Sequence, residues 1–240
     1  MIPDLSVVIP ALNAAAGLPA TLAALGDTPA EVVVVDGGSA DGTADLAARG
    51  GALVVLAPRG RGGQLAAGVA AARGPWLLLL HADTVLAPGW ADAVRDAMRD
   101  PGRAAYFRFA LDDAALAARR LERAVAWRCR VFALPYGDQG LLIHRDLLGA
   151  AGGIRPLPLM EDVDLIRRLG RARLAALPVA AVTSAARWRA QGYLRRSARN
   201  LGCLALWFLG VPPRIIARVY AAKGAAKGAA KGADRGASRG

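Results

Sequence analysis

The sequence predicts an α/β fold, a mostly parallel central sheet with helices on both faces, followed by a C-terminal helical segment. Three observations carry this expectation. Short β-branched or continuous apolar runs alternate with Ala-rich segments between Leu5 and Leu80. The runs show little polar alternation, as expected of strands covered on both faces. Acidic residues stand directly behind two of the runs, and an open parallel sheet places its ligand crevice outside those strand ends.

Taken in order, Leu5 to Pro10, Glu31 to Asp36, Ala52 to Leu56 and Trp76 to Leu80 read as strands. Ala14 to Leu25, Gly42 to Arg49 and Gln64 to Arg73 read as the helices between them, so the βαβαβαβ order calls for right-handed crossovers. Beyond Asp83 the pattern is mixed. Pro88 to Met98 is helical, Arg103 to Leu111 strand-like, Asp113 to Phe132 a long helix and Gly140 to His144 a short strand. A Gly- and Pro-rich loop over 151–159 leads into a helix from Glu161 to Leu169. This half is expected to cover one end of the sheet and to meet a second substrate.

Gln191 to Tyr220 is basic and apolar, with an uncharged run from Leu201 to Gly210 and a break at Pro212-Pro213. It reads either as a C-terminal helix packed on the domain or as an interfacial helix with its arginines toward anionic headgroups. After Tyr220 the unit Ala-Ala-Lys-Gly repeats, and glycine at every fourth position opposes a stable helix, so 221–240 is expected to be a disordered basic tail. The expected organisation is a single domain over 1–220, with a nucleotide-binding half (1–85), an acceptor-binding half (86–190) and C-terminal helices (191–220).

At 240 residues the chain has room for one well-packed domain. The formal charge of +12 lies partly in the tail, where Lys223, Lys227, Lys231, Arg235 and Arg239 face only Asp234. A phosphate-rich ligand or an anionic membrane surface accounts for the basic body at least as well as nucleic acid, which is not expected as a partner. No apolar stretch approaches the ~20 residues of a membrane span, and the start Met1-Ile-Pro-Asp-Leu-Ser6 lacks a basic and apolar leader. The expected location is the cytoplasm, with peripheral contact to the inner face of the cell membrane as an extension. Cys129 and Cys203 lie far apart and form no Cys-x-x-Cys unit, which argues against a disulfide framework or structural zinc.

Asp36 to Thr43 reads Asp-Gly-Gly-Ser-Ala-Asp-Gly-Thr. Asp36 can accept hydrogen bonds from a ribose or a base imide, while Gly37 and Gly38 allow a tight turn; Ser39 or Asp41 can instead cap the next helix. Because four valines precede Asp36, its buried carboxylate needs a partner. The loop Pro58-Arg-Gly-Arg-Gly-Gly-Gln64 offers Arg59 and Arg61 to a phosphate or a base. His81 and Asp83, two apart at a strand's end, share a face. Asp83 is a candidate anchor for a divalent cation, Mn²⁺ or Mg²⁺; His81 is either a second ligand, which would favour Mn²⁺, or a cap on backbone carbonyls. Glu161 and Asp162 supply a third acidic point, either as catalytic acids or as first-turn residues of a helix. Together these groups suggest a nucleoside-diphosphate site with a metal and a base.

Ser6-Val-Val-Ile-Pro-Ala-Leu-Asn13, Val35-Asp-Gly-Gly-Ser-Ala-Asp-Gly-Thr43, His81-Ala-Asp83 and Met160-Glu-Asp-Val-Asp164 together resemble glycosyltransferase family 2, of the GT-A fold, over residues 5 to about 220. The resemblance implies that Pro10, Asn13, Asp36, Gly37 and the loop residues Arg59, Arg61 and Gln64 hold a nucleotide-diphosphate sugar. It implies that Asp83, with His81, binds the metal and that Asp162, with Glu161 beside it, is the base for an acceptor hydroxyl in an inverting transfer. Arg59-Gly-Arg-Gly-Gly-Gln64, Leu134-Pro-Tyr-Gly-Asp-Gln-Gly140 and Arg187-Trp188 resemble the branch associated with arsenosugar biosynthesis. That likeness puts Asp138, Gln139, Gly140, Arg187 and Trp188 on the acceptor side. Departures from the family pattern are Ala14 in place of Glu, Ala66 in place of Asn, His81 in place of the first acid of Asp-x-Asp, and Ser184 in place of Gln in the Gln-x-x-Arg-Trp of processive synthases. The last of these implies transfer of a single sugar.

Three other classes compete. A sugar-nucleotide nucleotidyltransferase would share the alternating sheet but needs a Gly-rich, basic loop after the first strand, where Ala11-Leu-Asn-Ala-Ala-Ala-Gly17 stands. A nicotinamide dehydrogenase needs Gly-x-Gly-x-x-Gly at the same turn. A non-catalytic nucleotide- or membrane-binding module would keep Asp36 and the basic C-terminal region but could dispense with Asp83 and Asp162.

Overall fold

A computed structural model describes residues 1–220, and these are organised around one eight-stranded sheet. The N-terminal part runs β1 (Ile2–Ala11), α1 (Leu18–Leu25), β2 (Pro29–Asp36), α2 (Thr43–Arg49), β3 (Leu53–Leu56), α3 (Arg61–Ala71) and β4 (Trp76–Leu79). Then follow β5 (Thr84–Leu86), α4 (Trp90–Ala97), β6 (Ala104–Leu111), α5 (Leu116–Phe132), β7 (Leu141–His144), α6 (Arg145–Ala150) and α7 (Glu161–Leu169). β8 (Leu174–Thr183), α8 (Ala186–Gln191) and α9 (Tyr193–Phe208) complete the named elements, and residues 213–220 are helical again. The expectation of a disordered tail falls on residues outside those described.

The strand order is β3-β2-β1-β4-β7-β6-β8-β5. β3, β2, β1 and β4 are mutually parallel, and β6 is parallel to β8; β7 lies antiparallel between β4 and β6, and β5 antiparallel at the far edge. The sheet is therefore mixed and mostly parallel. Strand pleating sends alternate residues to opposite faces. Leu5, Val7 and Ile9 join one apolar cluster with Val34 and Leu78, while Val8 joins the other with Val33, Val35, Leu77 and Leu79. This two-sided burial is what the uninterrupted apolar runs encode. A third cluster lies under α5, α8 and α9, around Phe109, Leu111, Cys129 and Trp188.

Several boundaries differ from the sequence expectation. α1 begins at Leu18 because Ala14–Gly17 form a turn in which the Gly17 and Leu18 amides both donate to Ala14 O. α3 begins at Arg61, so two glycines of the expected loop lie in its first turn. A Cβ on Gly62 would stand 2.6 Å from Arg155 O and 2.8 Å from Leu157 N, so this glycine admits the 155–157 backbone rather than a phosphate. β8 was not anticipated: its Leu-Ala-Ala-Leu-Pro-Val-Ala-Ala-Val-Thr is rich in alanine and contains Pro178. Pro178 falls where the β6–β8 register shifts, a position that does not require its missing N–H.

Candidate active site

A cleft of about 750 Å³ opens where the strands β1 and β4 end, the position expected for a ligand site in a sheet of this kind. Pro10, Asn13, Arg59, Arg61, Gln64, His81, Asp83, Asp138, Glu161, Asp162, Arg187 and Trp188 all line it. Asp36, Gly37, Gln139 and Gly140 do not, and each has a supporting position instead.

Asp36 is 3% exposed and accepts from the Gly38 and Ser39 amides at 3.0 and 2.9 Å and from the Ser39 hydroxyl. The partner that this buried acid requires is its own loop. Ser39 Oγ in turn accepts from Asn13 N at 2.8 Å, and Asn13 Oδ1 accepts from Ala40 N at 3.0 Å. Asp36 thus holds Asn13, at a left-handed φ of 49°, on the lip of the cleft. Asp41 accepts from Ala15 N and from the amide of Thr43 at the start of α2, fixing the same two loops. Gln64 is nearly buried, and its Nε2 donates to Ala11 O at 2.8 Å and Val35 O at 2.9 Å. Its amide group clasps the ends of β1 and β2. Gly37 is kept small by that amide, which a Cβ would meet at 3.0 Å.

The turn Gly137–Gln139 brings the acidic groups together. Gly137 N donates to Asp162 Oδ2 at 2.8 Å, Asp138 O accepts from Thr183 Oγ1 at 3.2 Å, and Gln139 Nε2 donates to Phe107 O at 3.0 Å. Gln139 is therefore a buried tie between this turn and β6. Gly140, at a left-handed φ of 64°, lies against Phe107 and Leu80 and lines a small apolar cavity adjoining the cleft. A side chain at Gly137 would meet Arg61 Nη2 at 2.6 Å, His81 Nε2 at 3.0 Å and Asp162 Oδ2 at 3.3 Å. Those three groups converge on one point only because glycine is there.

Electrostatics at this point are set by burial. Glu161 is 3% exposed and pairs with Arg61 Nε at 3.1 Å. Burial outweighs the arginine, with Asp162 adding to its effect, and pushes the Glu161 carboxyl up to about 7. Burial likewise pushes Asp138 up to about 6, opposed by Arg128 and reinforced by Asp162 and Asp83. His81 is held well below its usual range by burial and then by the Arg61 and Arg187 charges, so it is neutral at pH 7. Asp162 Oδ1 accepts from Val163 N at 2.7 Å. With Gly137 N on Oδ2, each Asp162 oxygen has one backbone partner and one remaining lone pair. Met160, immediately before α7, has a left-handed φ of 68°, a strained conformation at the residue that aims Glu161 and Asp162.

Two buried polar atoms here have no partner, His81 Nε2 and Asp138 Oδ1. Buried polar atoms are ordinarily satisfied, so these point to a missing ligand. The described residues contain no group of three or more His, Cys, Asp or Glu side chains that would cage a metal ion. Mg²⁺ or Mn²⁺ held by one or two protein groups together with substrate phosphates and water asks for less. Asp83 in the cleft, with the unpartnered His81 nitrogen in the same wall, fits that smaller donor set.

The sequence reading missed the contribution of α9 and its approach: Arg196, Asn200 and Cys203 line the cleft, as do Tyr136, Thr183, Ser184 and Tyr220. Positions 196, 200 and 203 are spaced i, i+4, i+7, one face of a helix. That spacing was the available signal. Trp188, 7% exposed, stacks on Tyr193 at 5.8 Å between ring centroids and has the Arg196 guanidinium 5.0 Å from its ring.

The sheet order and the cleft at its strand ends define a GT-A-type glycosyltransferase architecture. Residues 6–155 match the model of Glycosyl transferase family 2, and the chain belongs to that family. It is 48% identical over 81 residues to uncharacterized glycosyltransferases of Mycobacterium tuberculosis and Mycobacterium bovis, a match covering 32% of this chain and 36% of each relative. The chain thus matches only about a third of the length of these relatives. Among solved structures, S. aureus TarS 1-349 superposes with a TM-score of 0.57 at 17% identity, covering 76% of this chain and 60% of that one. Glucosyl-3-phosphoglycerate synthase of Mycobacterium tuberculosis, in complex with Mn²⁺, uridine-diphosphate and glucosyl-3-phosphoglycerate, superposes with a TM-score of 0.51 at 23% identity, covering 75% and 70%. At these identities the structural likeness establishes the fold.

Proposed function

We propose that residues 1–220 act as one unit that transfers a single sugar, with inversion, from a nucleoside-diphosphate sugar to an acceptor hydroxyl. The observation that carries this reading is that Asp83 and Asp162 line one cleft, with Asp162 fixed by Gly137 N and Asp83 set against Gly17 at the start of α1. In the proposed reaction Asp162 takes the acceptor proton as the acceptor oxygen bonds to the anomeric carbon and the bond to the diphosphate breaks. Arg59 and Arg61 offset charge on the departing group, and a divalent ion on Asp83, with His81 alongside, would supply the rest. Related folds support the donor class: S. aureus TarS 1-349 has been solved with UDP-GlcNAc, and the mycobacterial synthase with Mn²⁺ and uridine-diphosphate. Pro10 and Asn13 form the donor side with Arg59; Asp36, Gly37 and Gln64 shape it from behind. Asp138, Arg187 and Trp188 face the acceptor, with Gln139 and Gly140 supporting the turn that presents Asp138. The likeness at Arg59–Gln64, 134–140 and Arg187-Trp188 favours a small acceptor of the arsenosugar type.

We place the reaction in the cytoplasm, with the C-terminal helices touching an anionic membrane face. No described helix is long and apolar enough to cross a membrane. Leu194, Leu201, Phe208 and Leu209 are nonetheless exposed at 88%, 59%, 50% and 78%, beside exposed Arg195 and Arg214. The test of the donor class is a panel of nucleotide sugars incubated with the protein, with and without Mn²⁺. Slow hydrolysis of one donor, dependent on the ion, is the expected result; no hydrolysis and no thermal stabilisation by any of them would remove the proposal.

A further inference from the structure

Arg187 and Arg196 on the C-terminal wall of the cleft, and Arg199 one turn further along α9, lack a carboxylate partner among the described residues. Arg187 is exposed, lines the cleft and makes no hydrogen bond or ion pair within the described chain. Arg196 and Arg199, one turn apart on α9, share a single acceptor, Gln191 Oε1, at 3.2 and 2.8 Å. One neutral amide oxygen cannot offset two guanidinium charges. The Nε of each is buried and has no acceptor.

These side chains are also held in place. Arg196 lies 5.0 Å from the Trp188 ring centroid and Arg199 4.5 Å from that of Tyr220, so each guanidinium rests on an aromatic face. Burial, and then the Arg199 and Arg187 charges, hold Arg196 below the usual guanidinium range, with Tyr220 and Asp138 acting in the opposite sense. Buried donors without acceptors are costly, and more so when charged. Arg196 and Arg199, held on aromatic faces with unsatisfied donors, together with the exposed Arg187 on the cleft wall, form a site complementary to an anion.

We propose that this wall is an oxyanion subsite for the acceptor, which carries an acidic group, phosphate or carboxylate, besides its reactive hydroxyl. Arg196 and Arg199 bind that group, Arg187 stands at its rim and the Asn200 amide lies one helical turn from Arg196. The donor diphosphate has its own arginines, Arg59 and Arg61, in α3 and the loop before it. The inference rests on the transferase reading and adds the charge of the acceptor to it.

The experiment is calorimetric titration of inorganic phosphate into the full chain already saturated with Mn²⁺ and whichever of UDP, GDP, CDP or ADP it binds. Phosphate is expected to bind the saturated protein. Arg196→Gln and Arg199→Gln should each weaken that binding at least ten-fold, about the loss of one charge-assisted hydrogen bond, while nucleotide affinity stays within two-fold. Arg195→Gln, an exposed change on the same helix, should alter neither. Arg196→Lys keeps the charge and should lose less than Arg196→Gln, which separates loss of charge from loss of packing on Trp188. Thermal melting checks that each variant is folded. Absence of phosphate binding to the saturated wild type overturns the inference, as does a nucleotide affinity that falls in parallel, which would assign these arginines to the donor. If no nucleoside diphosphate binds, the transferase reading fails on its own, and phosphate titrated into the free protein and the same variants still decides whether this wall takes an anion.

Discussion

Glu161→Gln isolates the free energy stored in the buried acid beside Asp162. Glutamine has nearly the shape of a protonated glutamate and cannot ionise. In the folded protein the Glu161 carboxyl titrates near 7, against an ordinary value of 4.5, because it is removed from water. Below 4.5 the group is protonated in both states and adds no pH dependence. Between 4.5 and about 7 the unfolded chain loses this proton while the folded protein keeps it, so stability falls as pH rises. Above about 7 both states are ionised and the full penalty, about 3 kcal/mol, is in place. Asp138, pushed up to about 6, acts in the same direction but is present in both proteins, and so largely cancels in the difference. Urea denaturation of wild type and variant from pH 4.5 to 8.5 should show Glu161→Gln gaining on the wild type by about 3 kcal/mol across that interval. A difference in stability that does not change with pH would refute the claim that burial outweighs Arg61 at this position.

Asp162→Asn keeps the size of the side chain and removes the proton acceptor, so sugar transfer in single-turnover assays should fall by roughly 10²- to 10⁴-fold while donor affinity is retained; wild-type-like transfer would eliminate its role as base. Asp83→Ala should abolish the metal dependence of nucleoside-diphosphate binding measured by calorimetry, and an affinity in the wild type that is the same with and without Mn²⁺ would contradict a metal at Asp83. Vesicles rich in anionic lipid should sediment the full chain at low salt and release it as salt rises, with Leu201→Ser and Phe208→Ser weakening capture; failure of the wild type to sediment at low salt would discard the membrane contact.

The N-terminal half of the fold was legible because its strands are buried on both faces and written as apolar runs: Ser6-Val-Val-Ile-Pro, Val32 to Val35 and Trp76 to Leu80 each fall within an observed strand to within a residue. β8 was not legible, because alanine and Pro178 carry no strand preference and its place beside β6 is decided by long-range packing. The site divides in the same way. Asp83 and Asp162, which line the cleft, could be singled out because each follows a recognisable apolar or turn signal. Asp36 drew attention for the right reason, a buried carboxylate in need of a partner, but the partner is Ser39 and two backbone amides, a local turn that spacing alone does not distinguish from a ligand contact. The convergence of Arg61, His81 and Asp162 on Gly137 joins residues far apart in sequence and has no local signature.

The placement of β7 bears on how the chain reaches this structure during synthesis. The four parallel strands β1 to β4 are all made by Leu79, and the last of them, Trp-Leu-Leu-Leu, is buried along its whole length in the finished protein. Its second neighbour is β7, which pairs Leu141–His144 against Leu79–Trp76 and cannot arrive until those residues have left the ribosome. Until then a four-residue apolar edge is open, the kind of edge that recruits other chains. β5, made just after β4, passes to the opposite border of the sheet and waits longer still, for β8. One early strand, β5, thereby ends up beyond the three late ones. A nascent chain halted near Asp83 is left with an unpaired adhesive border, and Asp83 gains Asp162 as a neighbour in the cleft only once α7 has been made.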